Sequence, residues 1–427
     1  MSLFFDVFPK IVPVNKPVDI TIRALFDHAQ FDQATRYEIS LFPAEGFAAP
    51  EDGQRAQRMQ LQPQDGALRV PVCCDDEQEY VIWIERVSGE TRSAVGEFRI
   101  YALREDLFSR YPFKGDFHMH SNRSDGRECP GYVAGACRRI GLDFMALTDH
   151  HRYQPSLEAA KAHARTEIDL RIYPGEEVHP PETSVHIVNF GGDHSVNGLF
   201  SGDSFRTGVA ALAEGFCDIP PAYRYQYAAC VWSFEQIRAG GGLAIFCHPY
   251  WFTGHRYDVP EALTTLLFDR QPFDAYEVIG GFYRHQAESN ILQVTRYHEE
   301  RARGCQIPIV GASDAHGCER GELFGWYYTI VFSPSADLPA VIANVKELNS
   351  VAVEAIPGTP ARAHGPFRLV KYAQFLLREV FPGHDELCAG EGRLMLAHLA
   401  GDEQAAEQLA RCKGQVRQYY EHLWARA

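Results

Sequence analysis

Several things are missing from this 427-residue sequence, and each absence removes a class of function. No apolar run approaches the roughly 18 residues that a membrane helix needs, so no membrane partner is expected. The N-terminal Met-Ser-Leu-Phe-Phe-Asp-Val-Phe-Pro meets an aspartate and a proline too early for the apolar segment of a signal peptide. The eleven cysteines are scattered, with one adjacent pair (Cys73-Cys74) and no Cys-x-x-Cys, so neither a disulfide framework nor a zinc ribbon is expected. A reducing cytoplasm fits that pattern. Positive charge is short: a net charge of -15 argues against a duplex nucleic-acid partner. A small-molecule substrate, even an anionic one, stays open, because local charge and bound metal decide that. No period repeats, and nothing is low-complexity.

What is present is the composition of a soluble globular protein, 45% apolar and 23% charged. The length is too great for one ordinary core, so two or three domains are expected. Residues 1–104 read as an all-β sandwich, with alternating or short apolar runs at Val12–Leu25, Tyr37–Phe42, Leu68–Val72, Glu79–Arg86 and Val95–Ala102. No clustered His, Asp or Glu appears there, so a structural or substrate-framing module is expected.

Strand-like and helical runs then alternate over residues 112–359, the signature of an α/β domain. Strands are predicted at Asp116–His120, Phe144–Thr148, Arg171–Tyr173, Val185–Phe190, Leu243–Cys247, Ala275–Ile279 and Ile307–Val310, with Tyr327–Phe332 and Val351–Glu354 following. That count suits a distorted barrel of about seven βα units better than an open sheet. Residues 193–231, rich in Gly, Ser and aromatics, read as a lid-like insertion. Residues 360–427 read as a helical C-terminal segment. Leu409, Val416, Tyr420 and Leu423 share one face of its last helix, and packing onto the barrel or onto a second subunit of a homo-oligomer accounts for that stripe.

Metal-ligand residues recur at the ends of the predicted strands. In Asp116-Phe117-His118-Met119-His120, two imidazoles at i and i+2 share one strand face, and Asp125 follows in a turn. Leu147 leads into Thr148-Asp149-His150-His151, and Tyr173 into Pro174-Gly175-Glu176-Glu177. His186 lies inside Val185-His186-Ile187-Val188. Cys247 precedes His248-Pro249, and Val310 runs into Gly311-Ala312-Ser313-Asp314-Ala315-His316. One such strand end would be unremarkable, since a strand can present histidines to solvent. In a parallel barrel, however, all these ends meet on one face. Histidine plus carboxylate without thiolate suits Zn, Mn or Fe, and so many donors suit two or three divalent ions.

These motifs resemble the polymerase-and-histidinol-phosphatase (PHP) family of metal-dependent hydrolases, over residues 115–316. In layout, with a β-sandwich before the catalytic domain, the chain resembles a branch of that family that includes carbamate and aryl-ester hydrolases. The resemblance implies that His118, His120 and Asp314 hold one ion and that Glu177 bridges to a second, which His186 and His248 complete. Asp125, His150 and His316 would hold a third ion of a trinuclear centre. Glu176 competes with Glu177 and His151 with His150; the Gly-x-Glu and Thr-Asp-His patterns favour Glu177 and His150. Asp116 and Asp149 would orient imidazoles, or Asp149 would cap a helix.

The implied nucleophile is a metal-bridging hydroxide, with His118, His120, Glu177, Asp314 and His316 as the catalytic group. Cys247 is expected to point away if His248 points in. Arg123, Arg152 and Arg320 beside the ligands are candidate phosphate contacts, and Tyr250, His255, Arg256 and Arg284 are candidates for walling a pocket. The expected activity is a phosphoesterase on a small phosphorylated or nucleotide-like substrate. The alternatives are a carboxylic ester or carbamate hydrolase on an aryl substrate, and a non-catalytic metal-binding scaffold.

Overall fold

The computed structural model describes residues 4–46, 57–89, 91–281, 288–319 and 323–426. The chain divides into two units, Met1–Tyr111 with Lys371–His384 and Gly414–Ala427, and Pro112–Val370 with Asp385–Lys413.

The first unit carries β1 (Phe5–Phe8), β2 (Ile11–Pro13), β3 (Val18–Ala24), β4 (Arg36–Pro43), β5 (Gln57–Leu61), β6 (Ala67–Val72), β7 (Glu79–Ser88) and β8 (Thr91–Leu103), then the short helix α1 (Glu105–Phe108). Two sheets result, β1-β3-β6 and β2-β8-β7-β4-β5. Alternate residues such as Ile20 and Ile22, Ile39 and Leu41, and Ile82 and Ile84 fill one buried cluster between them. The sandwich expected from alternation is therefore the fold observed.

The second unit begins with β9 (Tyr111–Asp116), α2 (Pro130–Arg139), β10 (Phe144–Ala146), α3 (Gln154–Ala162), β11 (Arg171–Tyr173), β12 (Gly175–Val178) and β13 (Ile187–Phe190). It continues with α4 (Asp203–Gly215), α5 (Pro221–Ala239), β14 (Leu243–Phe246), the hairpin β15 (Phe252–Thr253) and β16 (Arg256–Tyr257), α6 (Glu261–Arg270), β17 (Ala275–Ile279), α7 (Ser289–Ala302), β18 (Ile309–Gly311), β19 (Tyr327–Ser333), α8 (Leu338–Lys346), β20 (Ser350–Glu354) and β21 (Arg362–His364). Along the chain α9 (Phe367–Glu379), α10 (Phe381–Leu399), α11 (Ala405–Cys412) and α12 (Gln415–Leu423) follow; α11 belongs to the second unit, and α12 and most of α9 to the first.

This is an α/β architecture whose strands form two sheets, β11-β10-β9-β19-β20-β21 and β12-β13-β14-β17-β18. Two isolated parallel bridges, Met119↔Ala315 and His150↔Glu177, join the sheets just past the ends of β9, β10 and β18. The ring β9-β10-β12-β13-β14-β17-β18 thus closes at the end where the ligand candidates lie. Side chains alternate around it: Leu243, Ile245 and Cys247 share a strand-lined cluster with Phe117, Phe144 and Val310. Ala244 and Phe246 face a second cluster supplied by α5 and α6.

Five differences from expectation have local causes. β9 stops at Asp116 because that carboxylate accepts the N–H groups of His118 (3.2 Å) and Ser313 (3.0 Å), bending the chain at Phe117. β12 had no strand signal, since its two glutamates read as loop; antiparallel pairing with β13 makes it a strand. β13 is antiparallel to both its neighbours, so its start, not its end, meets the ligand face. Residues 193–231 are largely helical rather than loop, with Phe205, Val209, Tyr227 and Cys230 buried in the helix-covered cluster. The expected last helix is two, because Gly414 takes a left-handed φ of 78° between α11 and α12. Tyr420 and Trp424 then pack against Tyr111 within the first unit.

Among the described residues no helix is long and apolar enough to cross a membrane. All eleven cysteines are free thiols.

Candidate metal centre

The bend at Phe117 turns His118 and His120 to the same side, with ring centroids 5.2 Å apart. Backbone bonds lock both to the segment after β18 that carries Asp314: His120 N–H donates to Ala315 O at 3.0 Å, and Asp314 N–H to His118 O at 2.8 Å. Asp314 adopts φ 46°, and its Oδ1 lies 3.2 Å from His118 Nε2 and 2.7 Å from His120 Nε2.

Glu177 projects into the middle of the cluster. Its Oε2 is 3.5 Å from Nε2 of both His118 and His120 and is also held by His150 Nδ1. Its Oε1 is 2.7 Å from His186 Nδ1 and 3.7 Å from His248 Nε2. Glu176, one residue earlier, points the opposite way and accepts from Ser195 Oγ, Val196 N–H and Asn197 Nδ2. Alternation along β12 therefore separates the two glutamates, and Glu177 is the one that faces the cluster. His150 likewise faces it, whereas His151 is exposed.

A third group lies at the rim. Asp125, half-exposed, has Oδ1 3.3 Å from His316 Nε2 and Oδ2 3.4 Å from His150 Nε2. His316 donates Nδ1–H to its own segment's Asp314 O at 2.8 Å, which turns Nε2 toward Asp125.

Among the groups of donor atoms that lie within 4.8 Å of one another, three are built from the expected ligands: His118, His120 and Asp314; His118, Glu177 and His248; and His120, Asp125, His150 and His316. Among the described residues, His118 Nε2, His120 Nε2, both Glu177 oxygens, His186 Nδ1, His248 Nε2 and Asp314 Oδ1 are buried without a hydrogen-bond partner. An unsatisfied buried polar atom costs about 1–3 kcal/mol, so seven in one cluster call for a cation that takes up their lone pairs. Imidazole and carboxylate are the donors that borderline divalent ions prefer. The donor set fits such ions.

The electrostatics of the bare cluster agree. Burial opposes ionisation of Glu177, yet His186, His118 and His150 outweigh it and hold the carboxyl well below its ordinary range. Asp314 is likewise held low, burial being outweighed by His118 and His120. Burial pushes His150 and His248 down, but neighbouring carboxylates carry each up to about 10. Without an ion, imidazolium–carboxylate pairing neutralises the cluster.

Other expected site residues fall elsewhere. Cys247 does not point away: it lies in the strand-lined cluster beside His118, and a φ of 24° at His248 lets that residue also reach the centre. Asp116 and Asp149 orient no imidazole. Asp149 instead takes Ser121 and Ser124 N–H and hydroxyl groups, shaping the loop that presents Asp125, and it is not the cap of α3. Arg123 is turned to Glu158 at 2.8 Å. Tyr250 is buried, with its hydroxyl 3.4 Å from Arg296. Arg152 lines a cavity of about 580 Å³ together with Asp125, His150, His151, His179 and His186. His255 and Arg256 lie in the exposed β15–β16 hairpin, beside the exposed rings of Phe252 and Tyr257. Arg284 and Arg320 lie outside the described residues.

Three residues of the cluster carried no expectation. Glu277 Oε2 lies 2.9 Å from His118 Nδ1; its signal was a lone carboxylate inside the apolar run Ala275–Ile279. His179 Nε2 lies 2.9 Å from His150 Nδ1, and its signal was the i, i+2 spacing from Glu177. Asp258 Oδ2 is 3.5 Å from His248 Nδ1.

No protein-family model matches this chain. One stretch of 64 residues, 15% of the chain, is 39% identical to the DNA polymerase/3′-5′ exonuclease PolX of Bacillus subtilis (strain 168) and spans 11% of that protein. Among solved structures, a two-domain protein containing a predicted PHP-like metal-dependent phosphoesterase from Bacteroides vulgatus aligns at TM-score 0.45 and 16% identity, over 63% of this chain and 71% of that one. An amidohydrolase from Chromobacterium violaceum aligns at TM-score 0.31 and 20% identity, over 48% and 89%.

Proposed function

We propose that this chain is a PHP-type metal-dependent hydrolase and that its substrate is a small phosphorylated or nucleotide-like molecule. The observation that carries the reading is the set of buried imidazole and carboxylate atoms around Glu177 that face one another and make no well-formed hydrogen bond. Apolar residues of similar volume in these positions would cost the fold little or nothing, so stability alone does not account for the donors. The proposed ligands are His118, His120, Asp125, His150, Glu177, His186, His248, Asp314 and His316. Divalent ions, when bound, supply Lewis acidity and acidify water, so that hydrolysis runs near neutral pH.

The chain's own residues do the rest. Glu177, whose two oxygens face donors of all three sets, would be shared among the ions they hold. Asp125 sits at the solvent side, where a substrate arrives. Arg152 lines the cavity over this group and offers a guanidinium to an anionic substrate. A second reading, hydrolysis of an aryl ester or carbamate, is favoured by one feature: Phe252 and Tyr257 expose their rings on the hairpin that follows His248.

The test is a panel of para-nitrophenyl phosphate, bis-para-nitrophenyl phosphate, para-nitrophenyl acetate and an aryl carbamate, each with added Mn, alongside metal analysis of the purified protein. Phosphate turnover with more than one Mn, Fe or Zn per chain supports the reading. Turnover of the acetate or carbamate alone moves the assignment to the second reading, and a stable protein that takes up no metal removes both. His118→Ala and Asp314→Ala are expected to abolish turnover in a folded protein.

A further inference from the structure

We infer that Glu277 is a positioning residue that fixes the tautomer and ring orientation of His118, and so sets how tightly the innermost ion is held. This rests on the metal-binding reading above.

Glu277 occupies the middle of β17, where Tyr276, Val278 and Ile279 face the helix-covered cluster and Ala275 the strand-lined one. Alternation places Glu277 on the same side as Ala275, beneath the histidines. It is fully buried. A carboxylate in that setting is expensive unless it is paired, and its Oε2 meets His118 Nδ1 at 2.9 Å. A carboxylate only accepts, so Nδ1 must carry the proton, and the lone pair is confined to Nε2. That Nε2 is the atom facing Asp314 and Glu177.

The backbone is adapted to hold this geometry. The β17–β18 register shifts between Glu277 and Ile279, a local irregularity that re-aims a side chain. Gly280 leaves the space: a Cβ there would lie 2.8 Å from Glu277 Oε1. Carboxylate–imidazole–metal relays of this kind raise ligand basicity and fix ring orientation. Cys247 Sγ lies in the same group. It donates toward Ile245 O at 3.5 Å, burial keeps it a thiol, and it also bonds His118; a neutral thiol is the weaker of the two partners, and the Cys247 variant below measures its share.

The experiment is calorimetric titration of the chelator-treated full-length protein with Mn alone, for wild type, Glu277→Gln, Glu277→Leu and Cys247→Ala. A nitrogen spectrum of the histidine-labelled, zinc-loaded proteins is recorded alongside. Glu277→Leu should weaken the affected Mn position roughly 10–100-fold and remove the Nδ1–H signature of His118. Glu277→Gln keeps an acceptor but loses the charge, so it should retain that signature and weaken Mn by at least about threefold. If Glu277→Leu does not fold, the Gln variant decides: unchanged Mn affinity overturns the inference. A Leu variant that melts earlier yet binds Mn as wild type also overturns it. Loss in Cys247→Ala equal to that in Glu277→Leu would mean that His118, Cys247 and Glu277 hold a cation themselves, and would overturn it too. Wild type that binds neither Mn nor Zn fails the metal reading itself, and this inference falls with it.

Discussion

Nδ1 of His150 and Nε2 of His179 stand 2.9 Å apart, and both face Oε2 of Glu177. Two imidazole lone pairs cannot be that close without a proton or cation between them. Burial pushes His179 down to about 4, with Glu177 partly offsetting it, so His179 is neutral near pH 7 and His150 carries the proton. His179 therefore braces His150 toward Asp125 and His316. His179→Ala is expected to weaken Mn binding at that rim group roughly tenfold or more, while His151→Ala leaves it unchanged. Equilibrium dialysis against Mn separates the two, and equal behaviour of both variants would refute the bracing role.

Arg152 and Arg123 looked equivalent in sequence but differ in what they face. Arg123 is engaged by Glu158, with both side chains nearly half exposed, whereas Arg152 lines the cavity. With an anionic substrate, Arg152→Ala should raise KM roughly tenfold with a smaller change in kcat, a loss of about 1.4 kcal/mol of binding. Arg123→Ala should stay within about twofold. The opposite ranking in steady-state kinetics would discard Arg152 as the anion contact.

The bare cluster also predicts how stability depends on pH. His150 and His248 are raised from 6.5 to about 10 in the fold. Their contribution is full below about pH 6.5 and is lost as pH rises toward 10. Glu177 and Asp314 are held below ordinary values of 4.5 and 3.8, so their contribution is present above those values and lost as pH falls below them. His179, held down at about 4, works the other way below pH 6.5, where the unfolded chain takes up a proton that the fold refuses, so chelator-treated protein should melt highest near pH 6.5 and fall by several degrees toward pH 9. Added Mn should remove the alkaline fall, because bound ligands are deprotonated in any case. A Tm that climbs from pH 6.5 to 9 in chelator contradicts this account.

One stability effect comes from packing alone. Gly115 pairs with Phe144 across β9 and β10, and a Cβ at Gly115 would lie 2.1 Å from the Phe144 ring. Phe144 packs edge-on to Phe117, the residue just before His118. Gly115→Ala should cost about 2 kcal/mol by overpacking and lower Tm by roughly 4–8 °C. A thermal melt within about 1 °C of wild type would show that the ring can move aside freely.

The sequence by itself determined what depends on short-range order. Period-two alternation marked the sandwich strands, and the alternation of apolar strand and helical runs marked the α/β unit. The spacings His118-x-His120, Thr148-Asp149-His150, Gly175-x-Glu177, His248-Pro249 and Ser313-Asp314-x-His316 each put donors at a strand end, because i, i+2 geometry and strand length are local. Tertiary structure decided everything that depends on a partner far along the chain. Glu177 rather than Glu176 enters the cluster because Ser195, Val196 and Asn197 supply the donors that hold Glu176 on the other face. His186 joins because β13 runs antiparallel to β12 and β14. Arg123 is withdrawn because Glu158 lies 2.8 Å away on α3. His118 meets Glu277 across 159 positions of sequence. A buried charge is stable only where its partner happens to be folded beside it, and spacing along the chain carries no record of a neighbour brought in by another strand.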